Sequence, residues 1–154
     1  MSQQFRYIFK GNSLYGYCQW AESTDIEQTT ELFRCDLRTG TQETLAVWDS
    51  TSMNPGGLWI DEEKIYISES ELLGEEEKRE TWTTQLWVWQ YSLKNGTIEK
   101  CMEITHPRAG GQWEIGPDLY LGAVEQVPQE EKFAFTIMDI SGEMVREYIV
   151  ENSP

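Results

Sequence analysis

Gly56-Gly57-Leu58-Trp59-Ile60-Asp61-Glu62-Glu63-Lys64-Ile65-Tyr66-Ile67-Ser68, at the middle of the chain, decides the fold. Two short runs of apolar and aromatic residues flank a turn made of Asp61-Glu62-Glu63-Lys64, the pattern of a β-hairpin. The same arrangement returns downstream, where Gly110-Gly111 and Trp113 precede Leu119-Tyr120 across the turn Gly116-Pro117-Asp118. Upstream, Ile8 stands where the tryptophans stand, and Gly11-Asn12-Ser13 leads into Leu14-Tyr15. The spacing is roughly fifty residues, and repeats of that length built from short β-patterns indicate a modular architecture.

A second echo follows each hairpin. It reads Cys35-Asp36-Leu37-Arg38-Thr39-Gly40, then Tyr91-Ser92-Leu93-Lys94-Asn95-Gly96, then Met138-Asp139-Ile140-Ser141-Gly142. Asn95-Gly96 is strong turn chemistry because both residues tolerate positive φ. Each third therefore reads as four strands. The first strands are expected over 6–9, 57–60 and 111–115, and the second over 13–20, 64–68 and 118–124. Third strands are expected over 31–37, 85–93 and 133–140, and fourth strands over 42–48, 97–104 and 143–150. In the middle unit Leu86 and Val88 share one face while Trp87, Trp89 and Tyr91 share the other, so that sheet is covered on both sides.

Leu32-Phe33-Arg34-Cys35-Asp36-Leu37-Arg38-Thr39-Gly40 resembles the outer hairpin of β-propeller blades of the TolB-like and related kinds. Gly57-Leu58-Trp59-Ile60-Asp61, leading to Lys64-Ile65-Tyr66-Ile67-Ser68, resembles their inner pair of strands. The resemblance implies an all-β chain of three four-stranded antiparallel blades, with repeats over about 5–50, 56–104 and 110–150 in a single domain spanning 1–154. A β-sandwich is the alternative. Propellers close with about four to eight blades, so three leave two open flanks. A homodimer closing a six-bladed ring is the preferred resolution, and a partner supplying the missing blades or a chain that is a fragment are the others. The motif is shared by propellers with unrelated roles and transfers no function.

With 154 residues and 39% hydrophobic content the chain can fill one ordinary core. Its formal charge of −15 repels nucleic-acid phosphate and anionic lipid and favours a basic protein partner. Three cysteines, Cys18, Cys35 and Cys101, with no Cys-x-x-Cys pair, suggest neither a disulfide framework nor a zinc site. Met1-Ser2-Gln3-Gln4-Phe5-Arg6 has no apolar run of the signal-peptide kind, so a cytoplasmic protein, or a segment of a longer chain, is expected.

In a propeller, as the resemblance implies, the connections between second and third strands share one face of the disc with the blade-to-blade connections. The former carry Glu22, Asp25, Glu27 and Glu31, then Glu69, Glu71, Glu75, Glu76, Glu77 and Glu80, then Glu125, Glu130 and Glu131. An acidic rim is the expectation, with Leu72-Leu73 inside its longest loop. Glu75, Glu76, Glu77 and Trp82 are its candidate contacts, joined by Asn54, His106 and Arg108 from the blade-to-blade segments.

Catalytic patterns are sparse. Arg108-Ala109-Gly110-Gly111 lacks the following Lys-Ser/Thr of a phosphate loop, and the one histidine has no Gly-x-Ser-x-Gly elbow to serve. No histidine pair or calcium-loop pattern is present, so no cofactor or metal is expected. Glu114, beside Trp113, is the acid with the most apolar sequence surroundings, but it lacks the opposing carboxylate that a glycosidase needs. Three readings follow: a non-catalytic interaction or scaffolding module; an acidic inhibitor or immunity protein that mimics nucleic-acid charge; or a carbohydrate-binding or glycoside-processing domain using Trp82, Trp87, Trp89 and Tyr91 as a platform.

Overall fold

The structure is a computed structural model, and it describes residues 3–20, 28–50, 54–78, 81–107, 112–126 and 132–151. Strands β1 (Gln3–Lys10), β2 (Ser13–Trp20), β3 (Gln28–Asp36) and β4 (Gln42–Ser50) form the first antiparallel sheet in that order. The second sheet is β5 (Asn54–Ile60), β6 (Lys64–Leu73), β7 (Thr83–Ser92) and β8 (Ile98–His106). The third is β9 (Glu114–Ile115), β10 (Leu121–Gln126), β11 (Lys132–Met138) and β12 (Met144–Glu151). Each sheet is a four-stranded meander, and the three stack in chain order as the blades of a propeller. Three sheets replace the two that a sandwich would have.

The alternation in β7 explains the stacking. Tyr91 joins Tyr15, Tyr17, Leu32, Ile65 and Ile67 in a core between the first and second blades, with Trp48 and Trp89 packed against it. Leu86 and Val88, on the opposite face, join Tyr66, Met102, Trp113, Leu121 and Met138 between the second and third. A strand with bulky residues on both faces belongs in a middle layer, and this one is buried on both sides.

The outer hairpins close on similar glycine turns, one residue shorter in the third blade. Asp36 accepts from the amide of Gly40, Ser92 from that of Gly96 and Asp139 from that of Gly142. The three glycines have φ of 71°, 66° and 85°, the left-handed conformation that a Cβ disfavours. Asn95 is not among the positive-φ residues, so the glycine alone carries that requirement.

Several details differ from the sequence reading, among them the third blade's first two strands, expected over 111–115 and 118–124 and found at Glu114–Ile115 and Leu121–Gln126. Strand β6 continues past Ser68 to Leu73, still paired with β7 through Leu73 and Thr83, which extends the hairpin beyond the blade. The echo between Trp59 and Trp113 is not a structural equivalence. Counting back from the matched turns, Lys64 pairs with Ser92, so Tyr120 is its counterpart beside Asp139, and Ile65 therefore corresponds to Leu121 rather than Leu119. The 3-10 turn Pro117–Leu119 takes up the additional residues. Trp113, opposite Ala123 by extension of the ladder, thus matches Leu58, which lies opposite Ile67. Trp59 and Trp113 meet in the same inter-blade core from opposite sides.

Inner strands approach closely at Gly57, where a Cβ would lie 2.5 Å from the Ile115 amide nitrogen and 2.9 Å from the Glu114 Cα. Both neighbours are backbone of the next blade and cannot swing away. Around Gly40 nothing lies within 4 Å, so a Cβ there meets only the dihedral penalty. Gly57→Ala is therefore expected to cost about 2–3 kcal/mol by overpacking, against ~1 kcal/mol for Gly40→Ala. Urea unfolding midpoints of the two variants test the ranking, and equal losses would contradict the inter-blade contact.

Candidate interaction surface

Antiparallel order places the β2–β3, β6–β7 and β10–β11 connections at the same ends of their sheets as the C-termini of β4, β8 and β12. Much of this edge lies outside the described residues, including Glu22, Asp25, Glu27, Glu80, Glu130, Glu131 and the candidate Arg108. Asn54 begins β5, opposite Ser70 in the ladder, and its side chain is likewise outside the description. Of the β6–β7 hairpin, residues 64–78 and 81–92 are described.

That hairpin projects as a built tip. The Trp82 indole N–H donates to the Glu75 carbonyl at 2.5 Å, and the ring lies so close to Gly74 that a Cβ there would sit 2.1 Å from its Cδ1. Lys78 N–H donates to Glu75 O at 3.0 Å, Thr81 N–H to Lys78 O at 2.9 Å, and the Lys78 ammonium pairs with the Glu75 carboxylate at 2.8 Å. Glu76 and Glu77 stay exposed on top, and Leu72 and Leu73 are each 40% exposed on the stem. Trp82 is thus the pin of the loop rather than an open platform.

Beneath the tip, two acids expected on the rim are buried instead. Glu69 is completely buried at the first joint between blades. Its Oε1 accepts indole N–H bonds from Trp48 at 3.1 Å, Trp87 at 3.2 Å and Trp89. Its Oε2 accepts from the Gln19 amide at 2.9 Å and from the Ser50 hydroxyl. Gln19, Trp48 and Ser50 belong to the first blade, and Trp87 and Trp89 to the second, so one carboxylate binds donors from both. The sugar-platform reading loses its aromatic residues here. The Trp87 and Trp89 N–H groups are spent on Glu69, and the Lys100 ammonium lies 5.4 and 5.3 Å from their ring centres.

Glu125 repeats the device at the second joint. It matches Glu69 by register, is 1% exposed, and meets His106 Nε2 at 2.9 Å through Oε1 and 3.0 Å through Oε2. His106 ends β8 opposite Thr84 as Ser50 ends β4 opposite Gln28, so the last residue of one blade reaches the carboxylate of the next in both joints. The imidazole also stacks edge-on against Trp113, centroids 5.2 Å apart. His106 was expected as a loop contact; at 2% exposure it is an interior fastening and presents nothing to a partner. Glu114 is corrected in the opposite sense. Its side chain is 57% exposed and pairs at 2.9 Å with Arg6 of the first blade, not with an apolar wall.

The signal for the buried acids was present in the sequence. Ile65, Ile67 and Glu69 share one strand face, as do Leu121, Ala123 and Glu125, so each acid continues an inward-facing series. Proximity in sequence to the acidic loops made them look like rim charges. Nearby, the Tyr17 hydroxyl donates to the Gly56 carbonyl at 2.9 Å, and burial, reinforced by the Glu69 charge, pushes that phenol well above its ordinary pKa. Among the described residues no cluster of three or more His, Cys, Asp or Glu side chains could hold a metal ion. No helix among them is long and apolar enough to cross a membrane.

No family model and no curated protein matches this chain. Among solved structures it is similar to the β-propeller domain of the Trilobed protease from Pyrococcus furiosus, described as having an open velcro topology. The two are 19% identical with a TM-score of 0.45, over 96% of this chain and 42% of that one. This chain therefore spans less than half the length of that one.

Removing the Glu69 carboxylate leaves five donors facing a void, those of Gln19, Ser50 and Trp87 buried and those of Trp48 and Trp89 partly so, the costly half of a broken network. Glu69→Ala is expected to lower unfolding stability by about 3–5 kcal/mol. Glu69→Gln, which keeps one acceptor oxygen, should lose less. Denaturant titration followed by tryptophan fluorescence checks both, and an alanine variant within ~0.5 kcal/mol of wild type would contradict the fastening role.

Proposed function

We propose that this chain is a non-catalytic protein–protein interaction module whose β6–β7 hairpin presents an acidic tip to a basic partner. The ordering of that tip carries the reading. A loop serving only to connect strands has no need of a tryptophan bonded to its backbone and packed over its glycine. An ordered tip has lost its conformational entropy before any partner arrives, which is the advantage of pre-organisation in binding. Glu76 and Glu77 provide negative charge at the apex and Leu72 and Leu73 provide apolar contact on the stem. This combination suits a lysine- or arginine-bearing surface with an apolar residue beside the charge. The propeller-like scaffold supports the reading in the ordinary way, by holding loops on a rigid frame.

The test is fluorescence anisotropy against a library of short Lys/Arg-rich peptides, each with one central apolar residue. Binding should weaken roughly tenfold in the double variant Glu76→Lys/Glu77→Lys at low salt, and lessen with added salt as screening predicts. Trp82→Ala should weaken the same peptides while leaving the net charge unchanged, because the tip is no longer held. Binding that is indifferent to all three substitutions would remove the hairpin from the function.

A further inference from the structure

We propose that a second copy of this chain docks head-to-tail on the two open blade faces and closes a six-bladed ring. Equivalent positions in the three blades differ sharply in how far they are covered. On the face each blade turns toward its predecessor, Ile60 of the second and Ile115 of the third are 7% and 6% exposed, while their counterpart Phe9 in the first is 60% exposed. Trp113 of the third blade is 1% exposed, whereas Tyr7 at the matching place is 63% exposed. Phe5 extends the same row on β1 and meets Phe33 edge-on, centroids 6.4 Å apart.

The face each blade turns toward its successor shows the converse. Leu32 and Val88 are fully buried in the first and second blades, and Phe135 at the matching place in the third is 40% exposed. Tyr17 and Ser68 are likewise fully buried where Val124 is 53% exposed. The two open faces are therefore the two halves of a joint the molecule already makes twice. One copy carries both halves, so its third blade can receive the first blade of its neighbour without any other chain.

Shape agrees with this assignment. The third blade has Gly122 where the others have Tyr15 and Tyr66, which opens a concavity of about 520 Å³ lined by Ile115, Leu121, Ala123, Val124, Phe135 and Ile137. The first blade offers the opposite relief, an aromatic ridge of Phe5, Tyr7 and Phe9 raised beside Gly16. Ridge fits hollow. At the position of Glu69 and Glu125 the first blade has Cys18, 8% exposed, with Glu31 opposite it in the ladder. The net charge of −15 opposes association; at physiological salt a screening length of ~8 Å limits that repulsion. A head-to-tail contact made twice gives a closed two-fold ring of six blades, within the range of about four to eight that propellers adopt.

Size-exclusion chromatography with light scattering at micromolar concentration tests this directly. The expected mass is twice the 17.9 kDa of the chain. Tyr7→Glu and Phe135→Glu, both at exposed positions, should each give a folded monomer by circular dichroism. Mixed one to one they should recover a dimer, because each variant keeps the half the other lacks. A monomeric wild type, masses rising without limit with concentration, or a mixture that stays monomeric would each overturn the proposal. Glu76→Lys/Glu77→Lys should leave the mass unchanged, so this result is independent of what the hairpin binds.

Discussion

A carboxylate sealed between two sheets is the constraint from which the arrangement of this molecule follows. An isolated buried charge is prohibitively expensive, and Glu69 is stable only because donors from both flanking blades converge on it. The apolar residues around it supply the bulk of the burial, but they are non-directional and would tolerate a slide of one blade against the next. Three indole N–H groups, an amide and a hydroxyl aimed at two oxygens do not. The carboxylate therefore fixes the register between blades, and Glu125 with His106 does the same at the second joint.

The fastening residues sit at the edge of the disc from which the acidic hairpin rises. Strand β6 runs through Glu69 and continues to Leu73, so the stem of the hairpin is anchored one step from the buried carboxylate. Charge is thereby used in two ways along one strand. At position 69 it is desolvated and saturated with hydrogen bonds; at 76 and 77 it is hydrated and open. The difference comes from the neighbouring blade, which covers the first and stops short of the others.

Blade patterning was legible because it rests on local chemistry. Turn glycines at 40, 96 and 142, alternation in β7, and the spacing of the hairpins each require only nearby residues, and all three blades formed where that chemistry placed them. The longer second hairpin was missed because Leu72 and Leu73 are flanked by acids, Glu69 and Glu71 before them and Glu75, Glu76 and Glu77 after, and pairing with Thr83 and Thr84 decided the matter. The two tryptophans that looked like repeats are cross-joint neighbours, because the turn before β10 changes the count without changing the pattern. His106 and Glu114 exchanged their expected environments for a related reason. Neither carries a local mark of burial, and each is placed by a residue many positions away, Glu125 and Arg6 respectively.

The sequence by itself determined that the chain is all-β, built from three similar units, acidic, and bulky on both faces of its middle sheet. These properties depend on periodicity and turn chemistry, which act over a few residues. Only the tertiary structure decided which acids are interior and which face water, because Glu69, Glu76 and Glu125 are chemically the same group. It also decided that the aromatic residues of β1 and Phe133 and Phe135 of β11 lie bare, since exposure is set by whether a neighbouring sheet is there to cover them.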